Sequence, residues 1–277
     1  MKIALCLSGH ARTYDTTYKF WEKNLLSLHN VDIFMNLWDT VGPRYFGVNH
    51  TEQSPLPRED FNPGVLRSPQ IDVSDIIRIW NPTAIQTDVY EQLHPVFVTQ
   101  SIPVLVERDY RGIGAGFEHH HPLSVRSMLY KRWMCNQLKC TREEEMGSKY
   151  DLVIQTRPDV ALTNTLPDEI FQDTERLYFH NCRSETPDPE INDFACIGSS
   201  HNVDIWCNLY NRIDTLFHIL QKQDNFFKFL NPHKMYYQYL LHEGINYKEM
   251  DIHTSIIRDT GIVLGWPHSQ QLIKRVI

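Results

Sequence analysis

The residues best suited to chemistry in this chain follow a short apolar run near its middle. Leu152 to Ile154 has the composition of a buried strand, and Thr156-Arg157-Pro158-Asp159 follows it closely. Because proline cannot donate a ladder hydrogen bond, we expect the strand to end here and Asp159 to stand on a stiff turn. Ligands of open α/β sheets bind at the carboxyl ends of strands. A carboxylate there can hold a divalent cation against a diphosphate or take a proton from a hydroxyl, and a plain surface turn is the alternative.

Polar residues also follow the first two predicted strands. Ser8, Gly9 and Arg12 come after the first strand. The glycine lets a ligand approach the backbone, and the arginine can pair with a phosphate or stack on a base. Trp38-Asp39 ends the second strand with an aromatic face and a carboxylate. All five are candidates for binding a nucleotide donor, with ordinary turn roles as the structural alternative.

Four more charged residues are candidates for the same region. Arg126 and Lys131 lie on the helix that precedes the Asp159 strand, where they either aim at a diphosphate or form a solvated helix face. Glu190 and Asp193 stand just before another predicted strand. A carboxylate placed there can deprotonate an acceptor hydroxyl or bind sugar hydroxyls, and an acidic surface loop is the alternative.

Histidines in the C-terminal segments could serve a metal or a leaving group. His253 and His268 each offer an imidazole late in the chain, and each also fits an ordinary core or surface role. His253 is the predicted partner of Asp159 in a metal site. The run His119-His120-His121 does not indicate zinc, because adjacent histidines in regular structure cannot all point at one ion.

The composition limits the class of protein. The 277 residues are 42% hydrophobic and 22% charged, as in an ordinary globular protein. The formal net charge of −7 argues against non-specific nucleic-acid binding, which needs a cationic surface. No apolar run of about 18 residues predicts a transmembrane helix. The six cysteines lack CxxC spacing, which favours free thiols in a reducing compartment.

The pattern of elements predicts a single α/β domain over residues 1–277, with a mostly parallel sheet flanked by helices. A strand–helix–strand opening begins it, and the absence of GxGxxG argues against a dinucleotide cofactor. Proline-rich residues 40–75 predict a long irregular insertion or lid, and residues from about 200 to 277 a helical C-terminal part. Strands are expected at 2–7, 31–38, 84–89, 152–154, 176–181 and 194–197, and helices at 13–28, 124–147, 201–220 and 232–243.

Four segments together resemble the small GT-A-type glycosyltransferases of bacteria and large DNA viruses, particularly algal viruses that glycosylate their capsid proteins. They are residues 5–13, 31–39, 127–131 continued by 150–159, and 192–199. The resemblance implies a GT-A-like, Rossmann-like fold and a nucleotide-sugar donor held by the turn after the first strand. It also implies a metal-bridged diphosphate at the acidic motif. The motif departs from Asp-x-Asp, because Arg157 stands where the first aspartate is common and only Asp159 remains.

These features predict an enzyme that moves a sugar from a nucleoside-diphosphate donor, such as UDP-xylose or a UDP-hexose, to a hydroxyl of a glycan acceptor. Mn²⁺ or Mg²⁺ at Asp159 is the expected cofactor, and neutralisation of the diphosphate by Arg157 without metal is the alternative. The expected location is the cytoplasm, that of the host if the protein is viral. Asp159→Ala is expected to abolish transfer and leave the fold intact. A non-catalytic module that binds nucleotide sugars or carbohydrates is the alternative function.

Overall fold

The computed structural model describes residues 1–42, 69–99, 122–181, 191–223 and 232–257. The described strands are β1 (Ile3–Gly9), β2 (Val31–Trp38), β3 (Ala84–Asp88), β4 (Leu152–Thr156), β5 (Val160–Leu162), β6 (Leu177–His180), β7 (Ala195–Gly198), β8 (Tyr247–Met250) and β9 (Thr254–Ile256). The described helices are α1 (Tyr14–Trp21), which continues as a π-helical turn (Glu22–Leu26), α2 (Val73–Trp80), α3 (Tyr90–Thr99), α4 (Pro122–Met146), α5 (Asp168–Gln172), α6 (Ser200–Cys207), α7 (Leu209–Gln223) and α8 (Pro232–Glu243).

Seven strands form the central sheet in the order β3-β2-β1-β4-β7-β6-β8. Only β7 among these seven runs against the others, since it pairs antiparallel with both β4 and β6. The strands β5 and β9 form a separate antiparallel pair. The prediction of an α/β fold with a mostly parallel sheet and flanking helices is therefore confirmed.

Both faces of the sheet are buried at its centre, which explains why β1, β4 and β7 are mostly apolar. On β1, Ala4 and Cys6 face a core that includes side chains of α4, α6, α7 and α8. The alternate residues Ile3, Leu5 and Leu7 face the opposite core, which includes side chains of α1, α2 and α5. Side chains alternate across a strand with a period of two, so one short segment supplies both cores.

Several predicted elements differ at their boundaries. The helix before β4 begins at Pro122, so Ser124 lies inside α4 and is not its cap. Proline at the first helical position is favourable, because its missing N–H would have no intrahelical partner there. The predicted helix 201–220 is two helices separated at Asn208, a residue type whose side chain competes with helical hydrogen bonding.

The predicted insertion 40–75 is wrong at its C-terminal end, where helix α2 begins at Val73. The side chain of Asp72 caps this helix by accepting a hydrogen bond from the backbone N–H of Asp75. Two backbone bonds, from Val41 N–H to Pro69 O and from Ile71 N–H to Asp39 O, join the two ends of the insertion. Residues 43–68 lie outside the described residues. Helix α2 escaped prediction because the proline-rich composition before it dominated the pattern.

The C-terminal part is not only helical. Helices were predicted in this part of the chain, and α6, α7 and α8 are present. After them, β8 extends the central sheet and β9 pairs with β5. These short strands carry polar residues and gain their backbone partners from distant segments, so no local pattern marked them. None of the helices in the described part of the chain is long and apolar enough to span a membrane.

Candidate functional site

The predicted site residues meet at the carboxyl edge of β1 and β4. From β1 the sheet continues to β2 and β3 on one side, and the chain later returns to place β4 on the other side. Such a switch point opens a crevice at the carboxyl ends of the two strands. Leu7 pairs with Thr156, so the turns after β1 and β4 are neighbours. Because β7 is antiparallel to β4, with Thr156 opposite Ala195, its start lies at the same edge.

At this edge Asp159 is held between two arginines. Its carboxylate accepts hydrogen bonds from Arg157 Nε at 2.9 Å and Nη2 at 2.7 Å, which is a two-pronged contact from one guanidinium. Arg12 Nη1 donates to Asp159 Oδ2 at 2.7 Å. The Asp159 side chain is fully buried, and each arginine side chain is 19% exposed. We call these three residues the Arg–Asp–Arg cluster.

The Arg–Asp–Arg cluster carries one net positive charge and spare hydrogen-bond donors. A guanidinium has five N–H donors, and within the described parts of the chain Arg12 spends one and Arg157 two on the carboxylate. Burial lowers the pKa of Arg12. For Arg157 burial also acts downward, but the attraction of Asp159 outweighs it and raises the pKa. Both side chains therefore stay charged at neutral pH, and the cluster suits an anionic ligand.

The same geometry does not fit the predicted role of Asp159 as a metal ligand. Both of its oxygens already accept hydrogen bonds from guanidinium groups. A divalent cation at either oxygen would stand beside two positive charges and would have to displace at least one charge-assisted bond. Of the two ways considered for neutralising a diphosphate at this motif, the arrangement favours the arginines.

The turn after β1 is shaped for close approach of a ligand. Gly9 has φ +115°, a conformation that L side chains rarely adopt, and a Cβ built on it would meet nothing within 4 Å. The Ser8 hydroxyl, in contrast, is buried and accepts a hydrogen bond from Gln155 Nε2 at 2.9 Å. The Ser8 side chain therefore links β1 to β4. Only the Ser8 backbone is left to make the predicted contact with a ligand.

Three buried polar atoms near this turn have no hydrogen-bond partner within the described ranges. They are Arg12 Nε, Asp39 Oδ1 and Thr40 Oγ1. Unpaired buried polar atoms are rare in folded proteins, because each costs the free energy of its lost hydration. A carboxylate oxygen, a hydroxyl and a guanidinium N–H around one turn match a ligand that both donates and accepts hydrogen bonds.

His10 belongs to this turn and was missed in the sequence. Its Nδ1 lies 3.3 Å from Thr40 O, and its ring lies 6.4 Å from the ring of Trp38. Gly42 makes room for the imidazole, since a Cβ at that position would overlap the ring. Burial, followed by the charge of Arg12, lowers the pKa of His10 to about 3, so the ring is neutral at pH 7. Its position inside the predicted binding turn was the available signal.

Asp193 lies beside the Arg–Asp–Arg cluster but is already paired. Arg132 Nη2 donates to Asp193 O at 2.6 Å and to Oδ2 at 3.1 Å, and Arg132 Nη1 donates to the Tyr236 hydroxyl. Burial raises the pKa of Asp193, but Arg132, then His233 and Arg157, outweigh it and lower the pKa to about 2. A carboxylate with so low a pKa is a weak general base. The geometry therefore favours its predicted contact with sugar hydroxyls over proton abstraction.

Arg132 was missed because it lies on a buried helix face rather than in a motif. Positions 132, 136, 139 and 143 of α4 are three or four residues apart, so they share one face. All four are buried and polar or charged. Polar and charged residues at the helical spacing expected for apolar core residues were the signal that could have revealed this face.

The two cationic candidates on α4 are both committed to structural partners. Arg126 donates to Asp214 of α7. Lys131 is fully buried, donates to Leu37 O and to Asp88 Oδ2 at 2.7 Å each, and lies 3.9 Å from the centre of the Trp38 ring. The solvated-face interpretation is thus wrong for Lys131, because its side chain is buried and two of its three N–H donors are bound within the protein.

The buried position of Lys131 predicts a pH effect on stability. Burial, opposed by Asp88, lowers its pKa from 10.5 to about 8. Between these values the unfolded chain holds more protons than the folded chain, so this residue makes stability rise with pH. Relative to Lys131→Met, we expect the free energy of unfolding of the wild type to gain about 2 kcal/mol from pH 8 to pH 10. Denaturant titrations at both pH values measure this, and an unchanged difference contradicts it.

One remaining candidate within the described residues, His253, does not join this edge. His253 lies four residues from Ile257, whose N–H donates to Asp159 O, so it is about 13 Å along the β5–β9 pair from Asp159. The prediction that His253 shares a metal with Asp159 is therefore wrong in geometry. Glu190 and His268 lie outside the described residues, as does the His119-His120-His121 run.

A second group of metal-ligand types, Cys140, Glu143 and Asp204, lies elsewhere in the fold. Its charges are already balanced, because Lys139 donates to Asp204 at 2.7 Å and Lys149 pairs with Glu143 at 2.9 Å. Burial raises the pKa of the Cys140 thiol to about 12, so the thiolate form is disfavoured. We interpret this group as a structural ion cluster.

Comparison of the chain with known protein families and with curated proteins found no match.

Proposed function

We propose that the protein is a glycosyltransferase of the GT-A kind that moves a sugar from a nucleoside diphosphate, with UDP as the favoured nucleotide, to a hydroxyl of a glycan acceptor. The observation that carries the proposal is the Arg–Asp–Arg cluster at the switch point between β1 and β4. Two of the four resemblance segments contribute to it, since Arg12 follows β1 and Arg157 and Asp159 follow β4. A third segment places Asp193, which precedes β7, beside the cluster.

The cluster is suited to a departing diphosphate. Asp159 fixes both guanidinium planes before any ligand arrives, so little reorganisation is needed when negative charge develops on the leaving group. The spare donors of Arg12 and Arg157 can contact phosphate oxygens, for which arginine is geometrically well matched. In this proposal the arginines neutralise the diphosphate, and no step depends on a metal ion.

The turn after β1 and the segment after β2 supply groups for the nucleoside. Asp39 and Thr40, which follow β2, offer an unpaired carboxylate oxygen and hydroxyl, which match ribose hydroxyls or a base edge. The neutral ring of His10 and the open space beside Gly9 lie in the turn after β1. These features support a bound nucleotide, because a simple inorganic anion would leave them unsatisfied.

Transfer needs one bond to break and one to form. The bond from the anomeric carbon to the diphosphate oxygen breaks with its electron pair leaving on the diphosphate. The acceptor oxygen bonds to the same carbon, and its proton passes to an oxygen of the departing diphosphate. Asp193, with its low pKa, is assigned to hold a donor-sugar hydroxyl rather than to accept that proton.

Thermal unfolding with nucleotides tests the proposal. UDP should raise the melting temperature of the wild type by the same amount in Mn²⁺ and in EDTA, because a ligand that binds only the folded state stabilises it. Arg157→Gln should abolish the UDP shift while Asp159 keeps its bond to Arg12. Arg142→Gln, on an exposed arginine paired with Glu145, is the matched control.

Two results would count against this assignment. If UDP, GDP and CMP all leave the melting temperature unchanged, the nucleotide site is wrong. If the UDP shift disappears in EDTA, the metal-free role of the arginines is wrong and Asp159 must bind an ion after rearrangement.

A non-catalytic binding module remains the second candidate, favoured by the weak basicity of Asp193. The two candidates differ in turnover. Slow release of free sugar from a UDP-sugar by the wild type, lost in Arg157→Gln, supports the transferase. Binding of UDP without any hydrolysis or transfer supports the module.

A further inference from the structure

A second cluster of metal-ligand side chains lies between the end of β6 and the turn from β8 to β9. It contains His180, the last residue of β6, and Asp251 and His253, which flank Ile252 in the turn. His253 was predicted to bind a metal with Asp159, from which it is separated. The side chain that it approaches is the carboxylate of Asp251.

His180 presents an unused nitrogen to this cluster. The parallel pairing of His180 with Met250, and the bond from Asn181 N–H to Met250 O at 2.8 Å, fix its backbone beside the turn. Its side chain is only 7% exposed. Its Nδ1 is buried without a hydrogen-bond partner in the described parts of the chain, and Asp251 Oδ1 lies 3.9 Å from it. An unpaired imidazole nitrogen aimed at a carboxylate leaves an interaction unmet.

The turn places the Asp251 carboxylate near that nitrogen and the His253 imidazole beside the same carboxylate. His253 has φ +55°, and its carbonyl accepts hydrogen bonds from Thr163 N–H at 2.8 Å and Thr163 Oγ1 at 2.7 Å. These bonds anchor the turn to the end of β5. The same Asp251 Oδ1 that approaches His180 lies 3.2 Å from His253 Nδ1. One carboxylate oxygen is therefore the common neighbour of two imidazoles.

We propose that His180, Asp251 and His253 bind a divalent ion of the zinc type through two imidazole nitrogens and one carboxylate oxygen. Imidazole nitrogen and carboxylate oxygen are established zinc ligands at about 2.0–2.2 Å, and a fourth position is left for water. Binding needs His253 and Asp251 to turn toward His180. Their side chains are 39% and 67% exposed, so this rotation requires no repacking of the core. It exchanges the hydrogen bond that Asp251 Oδ1 accepts from the His253 backbone N–H at 3.0 Å for a bond to the ion.

Such an ion would cross-link two segments of the fold. It would join β6 of the central sheet to the turn that leads into β9, and β9 pairs with the β5 segment that directly follows Asp159. The site does not depend on the proposed glycosyltransferase activity, since it is about 13 Å along the β5–β9 pair from Asp159.

Zinc titration of the full chain tests this site. With a chromophoric chelator as competitor, the wild type should bind one Zn²⁺. Asp251→Asn and His253→Asn should each lower the affinity for this Zn²⁺ by at least about tenfold. Asparagine is chosen at 253 because it tolerates the left-handed conformation. Zn²⁺ should also raise the melting temperature of the wild type but not of these variants.

The control variant is His242→Gln, which removes an exposed histidine at the end of α8 and should bind Zn²⁺ as the wild type does. Equal melting temperatures of all four proteins in EDTA establish that the substitutions leave the fold intact. Absence of Zn²⁺ binding to the wild type overturns the site. Binding that persists unchanged in Asp251→Asn and His253→Asn also overturns it and points to other histidines, such as His119-His120-His121.

Discussion

Asp159→Ala is expected to lower the free energy of unfolding by about 3 kcal/mol, because it leaves two largely buried guanidinium groups without their common carboxylate. The sequence alone suggested that this change would spare the fold. The structure corrects that expectation, since Asp159 has no exposed surface and joins the turn after β1 to the turn after β4. Loss of activity in this variant is then not by itself evidence of a chemical role.

Urea unfolding measures the effect, and Asp15→Ala is its control. Asp15 is an exposed aspartate in the first turn of α1, so its removal should cost well under 1 kcal/mol. Asp159→Asn separates charge from shape: it keeps an oxygen for one arginine but leaves the positive charges unbalanced. A stability of Asp159→Ala equal to that of the control would show that the arginines do not depend on this carboxylate.

The second large effect is expected at Arg132. Arg132→Met replaces a buried cation with an apolar chain of similar length and leaves Asp193 without its main partner. Breaking a buried pair from one side costs about 3–5 kcal/mol, so we expect a loss of that order. The same change should raise the pKa of Asp193, since Arg132 is the largest of the contributions that lower it.

A double-mutant cycle tests whether this cost comes from the uncompensated charge. Arg132→Met with Asp193→Asn removes both charges, and we expect it to recover most of the stability lost in Arg132→Met alone. Equal losses in the single and double variants would instead assign the effect to packing against Trp206 and Tyr236. UDP-induced stabilisation should survive in the double variant, because the nucleotide contacts are assigned to Arg12 and Arg157.

The two arginine networks also influence one another. Arg157 contributes to the low pKa of Asp193, and Asp193 contributes to the raised pKa of Arg157. A ligand diphosphate at Arg157 would add negative charge next to Asp193. Binding of the nucleotide is therefore expected to raise the pKa of Asp193, which couples the sugar side of the site to its phosphate side.

The sequence by itself determined which strand ends come together at the site. Continuous apolar runs at β1, β2 and β4 predicted buried parallel strands, and the polar residues after them were expected at one sheet edge. That inference succeeded for Arg12, Arg157 and Asp159 because the carboxyl ends of adjacent parallel strands must lie together, whatever the intervening chain does. Asp193 lies at the same edge because it precedes β7, which runs antiparallel to β4. The local hydrophobic pattern and the burial of both faces of the sheet are enough to predict that these strand ends share one edge.

Only the tertiary structure decided which charges pair. Arg12 and Asp159 are separated by 147 positions, and Arg132 reaches Asp193 across 61. No local period encodes such contacts, and a charged residue on a helix has the same appearance in sequence whether it is solvated, like Arg142, or buried, like Arg132. Asp159 could thus be recognised as special from its strand end. Its role as the counter-ion of two arginines followed only from the distances that folding creates.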